Sequence, residues 1–151
     1  MKELRVQPIK DGTVIDHIPP GNALKVLHIL GMGLTLPDSV ISIAINVRGK
    51  RGKKDIVKIE NRELDPREVD KIALIAPNAT INIIRNYEVV EKRRVEVPDE
   101  IVGIVKCSNP NCISNGKEPV ETKFIVKSRN PLKIKCYYCE REPEDISSQI
   151  I

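Results

Sequence analysis

Four cysteines carry the chemistry that is most directly legible in this chain. Cys107-Ser-Asn-Pro-Asn-Cys112 is followed 24 residues on by Cys136-Tyr-Tyr-Cys139. Two close pairs, separated by a segment long enough for a short strand pair, form the pattern of a four-thiolate zinc site. Zn²⁺ takes four soft donors at tetrahedral corners, and each tight turn presents two of them from one side. Asn109-Pro110-Asn111 are turn formers and suit the gap inside the first pair. Two disulfides and an iron–sulfur cluster are the alternatives. No histidine accompanies the motif, so the zinc reads as structural, one ion per chain on Cys107, Cys112, Cys136 and Cys139.

A second chemistry is cationic. Lys54 and Lys58 are four apart in a predicted strand and so project from one face. Lys92, Arg93 and Arg94 sit late in another. A neighbouring strand would bring Lys92 near Lys58, and both near His17. Two ammonium groups and an imidazole suit a triphosphate; the competing reading is a solvated lysine face. Catalytic constellations are scarce. The histidines are His17 and His28 alone, and Ser39, Ser42 and Ser108 have no base in local context. Gly31-Met32-Gly33 lacks the third glycine of a dinucleotide loop. A non-catalytic chain is expected.

The elements that must position these groups follow from local pattern. Leu4, Val6 and Ile9 suggest a short first strand, and Val14–Ile18 a second. Asn22 is placed to cap a helix whose apolar face holds Leu24, Val26, Leu27 and Leu30. Ile41, Ile43, Ile45 and Val47 alternate as one face of a strand, which returns over Asp55–Ile59 after the Arg48–Gly52 turn. Asp65-Pro66-Arg67-Glu68 is a helix start with a capping box, and Pro77 ends that helix. Thr80–Ile84 and Glu88–Val97 complete the strands. Helices set between strands predict an α+β, ferredoxin-like antiparallel sheet with two helices. The cysteine-bearing remainder reads as a small β-rich, rubredoxin-like zinc domain.

Composition bounds these readings. The chain has 151 residues and a formal charge of +4, and holds 22 Ile and 15 Val against 9 Leu. Such β-branched content favours sheet, and its heavy charge hints at heat adaptation. The longest apolar run, Ile72–Ala76, is far short of a membrane span, and no secretory signal is visible at the N-terminus. A cytoplasmic protein with reduced thiols is expected. Residues 1–97 hold 17 basic and 13 acidic residues, whereas 98–151 hold 8 of each and every cysteine. Two domains joined at Val97-Pro98-Asp99 are expected. In the smaller one, zinc can supply on the order of 10 kcal/mol of folding free energy that a nearly Phe-free core lacks. A nucleic-acid-binding zinc-ribbon protein is the alternative, but Tyr87 is the first domain's only stacking platform.

Five segments in order, Gly12–Pro19, Lys53–Asn61, Ala76–Thr80, Asn86–Val90 and Asn111–Ser114, resemble the regulatory chains of aspartate carbamoyltransferase. The resemblance spans essentially the whole chain. It implies a non-catalytic subunit of pyrimidine biosynthesis, with an allosteric domain (1–97) that binds nucleoside triphosphates such as CTP and ATP. It implies further that a zinc domain (98–151) docks on the catalytic chain. Regulatory homodimers would bridge two catalytic trimers in a dodecamer of two trimers and three regulatory dimers, with no nucleic-acid or membrane partner. Carried over by position, the nucleotide site comprises Val6, Gln7, Pro8, Ile9, Val14, Asp16, His17, Lys54, Lys58, Asn82, Ile84, Tyr87, Val89 and Lys92. Gln7-Pro8 departs from the Glu-Ala pair of the enterobacterial form, and Pro8 has no N–H to donate.

Overall fold

The computed structural model describes residues 8–31, 40–50, 52–117 and 120–151, which divide into two units, Met1–Glu96 and Val97–Ile151. The first unit runs β1 (Gly12–Ile18), α1 (Ala23–Ile29), β2 (Ile41–Gly49), β3 (Gly52–Glu60), α2 (Pro66–Ile75), β4 (Thr80–Arg85) and β5 (Glu88–Arg94). Its strands form one antiparallel sheet in the order β2-β3-β1-β4-β5. This is the α+β, ferredoxin-like arrangement that the alternation of elements implies, extended at one edge by β5.

Strand alternation sorts the side chains onto two faces. Thr13, Ile15, Val57, Ile59, Ile81 and Ile83 are buried on the face that carries the helices. Each fully buried Ile or Val contributes about 1.5–3 kcal/mol by leaving water. Among the described residues the opposite face bears no helix. Gly12 opens β1 with φ of 145°, and a Cβ there would lie 2.1 Å from the Ile59 carbonyl oxygen, so only glycine fits.

The two helices begin by different means. At α2, Asp65 accepts from the Glu68 N–H at 2.9 Å and Glu68 reciprocates with the Asp65 N–H at 3.2 Å, with Pro66 in the first turn. Val69, Ile72 and Ala73 face the core, as their spacing predicts. At α1, Asn22 stands at the cap position but its amide donates instead to the Ile75 carbonyl at 3.1 Å. The first N–H of α1, that of Ala23, goes to Asp55 of β3 at 3.1 Å. The buried residues of α1 are Ala23 and Val26, followed by Leu30 just past its end; Leu24, expected inside, is 63% exposed.

Of two further expectations, the first strand falls mostly outside the described residues and the regular face of β2 is corrected. Residues 1–7 lie outside the described residues, but Pro8 and Ile9, the described end of the expected first strand, are not strand, and Ile9 is buried without pairing. Pro8 supplies no N–H for a ladder. In β2, Ile41 and Ile43 pair with Ile59 and Val57, but a bulge between Ala44 and Val47 sets Val47 opposite Lys54. Val47 therefore lies on the other face from Ile41, and Asn46 absorbs the irregularity at φ of 62°.

The second unit is a three-stranded antiparallel sheet, β6 (Glu100–Val102), β7 (Lys123–Arg129) and β8 (Leu132–Cys136), in the order β6-β7-β8. A 3-10 turn at Ile113–Asn115 and a short α3 (Ile146–Gln149) complete it. Its apolar core is small: Ile101, Ile104, Val105, Phe124 and Ile134.

Candidate functional site

The four cysteines converge. The turn after β6 brings Cys107 and Cys112, while Cys136 ends β8 and Cys139 follows it. All four sulfurs lie within 4.8 Å of one another. Cys107 Sγ is 3.6 Å from Cys139 Sγ, and Cys112 Sγ is 3.6 Å from Cys136 Sγ. A disulfide would require about 2.05 Å. Four thiolates about 2.3 Å from a tetrahedral Zn²⁺ stand about 3.8 Å apart, so the cluster fits a closed four-sulfur metal site. Burial lifts the Cys107 thiol to about 12. At Cys139 burial also pushes up, but hydrogen bonds outweigh it, the Arg141 backbone first, and bring the thiol down to about 7. A cation in the cluster would favour the thiolate throughout.

The loop between the first two cysteines is held by the Asn115 side chain and, within it, by Asn109 Oδ1, which accepts the Asn111 N–H at 3.0 Å. The Asn115 amide donates to the Cys107 carbonyl at 2.9 Å and the Asn109 carbonyl at 2.8 Å. The Cys112 N–H bonds the Asn109 carbonyl at 3.0 Å, and Ser114 Oγ lies 3.1 Å from Cys112 Sγ.

In the first unit Lys54, Lys58 and Lys92 lie on the helix-free face, whereas Arg93, paired with buried Ile81, lies on the other. β1 pairs Val14 with Lys58 on one side and with Asn82 on the other, and β4 pairs Asn82 with Lys92. Lys58, Val14, Asn82 and Lys92 therefore form one row across four strands. The expectation that a neighbouring strand brings Lys92 to Lys58 is corrected in detail. β1 and β4 intervene, and three strand spacings put the two backbones about 14 Å apart. Asn82 bridges the row by donating to the Val14 carbonyl at 3.4 Å. Burial holds the Lys58 ammonium below the ordinary lysine range, with the Asp16 charge opposing that shift.

In the next row along the sheet, Asp16–Thr80–Arg94, the Asp16 carboxylate meets Lys54 Nζ at 3.0 Å and accepts the His17 backbone N–H at 2.7 Å. His17 has φ of 58°, and its Nδ1 lies 3.1 Å from Thr80 Oγ1. A groove of about 320 Å³ opens beside it, lined by His17, Lys50, Lys53, Lys54 and Arg94 among others. Ile84 is buried in β4. Tyr87 stands 65% exposed at the β4–β5 turn, and Val89 is exposed on β5. Pro8 and Ile9 precede β1, while Val6 and Gln7 lie outside the described residues.

Two residues were missed at the level of sequence. Thr80 pairs with Asp16 and holds His17. Asp55 is fully buried, and its Oδ2 accepts the Gly21 and Ala23 N–H groups at 2.8 and 3.1 Å while Oδ1 accepts that of Asn46 at 2.8 Å. It ties together the turn after His17, the start of α1 and the β2 bulge beside Lys54. The signal for it was present: Asp55, Val57 and Ile59 alternate, which puts an acid on the apolar face.

Comparison with known proteins follows the same division. Residues 4–96 match the family described as aspartate carbamoyltransferase regulatory chain, allosteric domain, and residues 99–147 match the metal binding domain of that regulatory chain. The chain is 59% identical over 146 residues to the aspartate carbamoyltransferase regulatory chain of Pyrococcus abyssi, covering 96% of this chain and 95% of the relative. It is 60% identical over 146 residues to that of Thermococcus sibiricus, with the same coverage. The corresponding chain of Methanothermobacter thermautotrophicus is 57% identical over 152 residues, covering 97% and 95%.

Proposed function

The chain belongs to the family of aspartate carbamoyltransferase regulatory chains, and from that premise we propose that its first unit binds nucleoside triphosphates and its second docks on the catalytic chain. It is a regulatory, non-catalytic subunit with an allosteric and a metal-binding domain. The observation that carries the nucleotide reading is the row Lys58–Val14–Asn82–Lys92 with Asp16, His17 and Lys54 beside it. Lysines spread along the row suit an extended polyphosphate better than a single anion. Val14 and Val89 offer apolar surface backed by buried Ile84, and Tyr87 a ring, for the nucleoside.

CTP and ATP are the effectors proposed. Zn²⁺ is the proposed ion, and Cys107, Cys112, Cys136 and Cys139 would hold it. A metal with four thiolate ligands and no open position supplies folding free energy rather than catalysis. Regulatory homodimers, two catalytic trimers bridged by three such dimers, and a cytoplasmic location complete the proposal. No helix among the described residues is long and apolar enough to cross a membrane. An effector shifts such an assembly only through different affinities for its two quaternary states.

Two measurements test this. Co-expression with the catalytic chain should yield a complex that co-purifies, and CTP and ATP should compete for one site on the isolated zinc-loaded chain in calorimetric titration. Absence of saturable nucleotide binding would remove the effector role, and failure to co-purify would remove the docking role.

A further inference from the structure

Asn115-Gly116 is the only Asn–Gly dipeptide in the sequence. It also sits at the clamp of the proposed metal site, so the inference rests on that metal reading. Glycine after asparagine leaves the following backbone nitrogen unshielded, the arrangement in which an asparagine amide is displaced most readily. In the reaction the Gly116 nitrogen attacks Asn115 Cγ and loses its proton. The Cγ–Nδ2 bond breaks and ammonia leaves, giving a succinimide. Water then opens the ring to an aspartyl or isoaspartyl residue at position 115.

The folded loop blocks this at both reacting groups. The Gly116 N–H is engaged with the Ile113 carbonyl at 3.0 Å. The Asn115 amide is tied to the Cys107 and Asn109 carbonyls at 2.9 and 2.8 Å, and the Asn115 N–H to the Cys112 carbonyl at 2.9 Å. These bonds all belong to the loop that Cys107 and Cys112 anchor, so a metal on those sulfurs holds the reactants apart. Gly116 itself is exposed, so water reaches the dipeptide once the loop opens.

We propose that Asn115-Gly116 is a deamidation site gated by metal occupancy, and that its product resists reloading of the metal. The second half follows from the same contacts. A carboxylate at position 115 cannot donate to two carbonyl oxygens, which are left facing an acceptor. It also adds negative charge near four thiolates. Loss of the ion therefore becomes progressively irreversible.

The full-length chain, zinc-loaded in one sample and chelator-treated in the other, is held warm at mildly alkaline pH after its zinc content is measured. Peptide mass mapping and isoaspartyl detection then follow position 115 with time. Deamidation should be slower by about tenfold or more in the loaded chain, because the reactive conformer is reached only through local opening. Equal rates would overturn the gating. A chain that takes up no stoichiometric zinc would overturn the metal reading itself, a separate outcome. The Asn115→Asp variant should hold zinc about 10–100-fold more weakly in competition with a chromophoric indicator, the usual effect of losing a supporting contact behind a ligand. Affinity equal to that of the parent chain would overturn the claim about reloading.

Discussion

Replacing Asp55 with asparagine tests how the first unit is held together around its cationic site. The carboxylate is fully buried and accepts three backbone N–H groups, two at Oδ2 and one at Oδ1. In Asp55→Asn the new side chain has almost the same shape, but one acceptor has become a donor. In its better orientation the amide oxygen keeps Gly21 and Ala23, and the NH₂ group confronts the Asn46 N–H. One hydrogen bond to a charged group, worth about 1.5–3 kcal/mol, is then lost and a buried donor is stranded at a further ~1–3 kcal/mol. The two remaining bonds become neutral and weaker. A loss of about 3–5 kcal/mol is expected, a large part of a domain's usual 5–15 kcal/mol. With a urea slope near 2 kcal/mol per molar, the unfolding midpoint of this unit should fall by about 2 M. Circular dichroism in urea measures it, with zinc release followed in parallel to separate the second unit. Nucleotide affinity, measured well below the transition, should fall too, because the turn after His17 and the bulge opposite Lys54 lose their common anchor. A variant within ~1 kcal/mol of the parent would refute the assignment of Asp55 as that anchor.

Lys58→Ala and Lys92→Ala should each weaken CTP binding about 10-fold or more, the scale of one lost charge-assisted contact. Their effects should multiply in the double variant, since the backbones stand about 14 Å apart; calorimetry reads both. The lowered Lys58 pKa sets a pH dependence. Bound phosphate favours the ammonium, so affinity should fall as pH rises through the lowered value, earlier than an ordinary lysine at about 10.4 would dictate. Without ligand the sign reverses, because the folded chain binds fewer protons and gains stability between the lowered and the unfolded values. Lys58→Arg should remove the early fall in affinity. Chelation of the metal should unfold the second unit, seen as lost circular dichroism and lost association with the catalytic chain, while the first unit keeps its urea midpoint.

What the sequence disclosed depends on how local each interaction is. The start of α2 was legible because Asp65, Pro66 and Glu68 satisfy one another within four residues. The cysteine cluster was legible because each pair is close in sequence and the segment between them is long enough for a strand pair. The cap of α1 was not, because its acceptor is supplied from β3, more than thirty residues away. Leu24 fits a helical apolar spacing, yet the stripe that meets the sheet is centred on Val26. Strand alternation placed Lys54 and Lys58 on one face. It could not show that two strands separate Lys58 from Lys92, since that depends on the order in which distant strands pair.

Both ends of the sheet carry irregularities, a shift between Ile83 and Ile84 at one and two bulges at the other, and it is the latter pair that connects fold to site. β1 shifts register between Ile15 and Ile18, and β2 between Ala44 and Val47. His17 and Asn46, both non-glycine residues, take left-handed conformations there, at a cost of about 1–2 kcal/mol each. The bulge in β1 resets the alternation so that Ile18, three residues after Ile15, is also fully buried. Each bulge is held by a carboxylate: Asp16 receives the His17 N–H and Asp55 that of Asn46. The bulge in β1 lets Asp16 and His17 stand at the same end as Lys54, while that in β2 turns Val47 to the face that carries the lysines. Backbone strain at His17 and Asn46 is thus placed beside the groups that set the charge of the site. One bulge does two things, returning Ile18 to the core while leaving Asp16 on the face that carries the lysines.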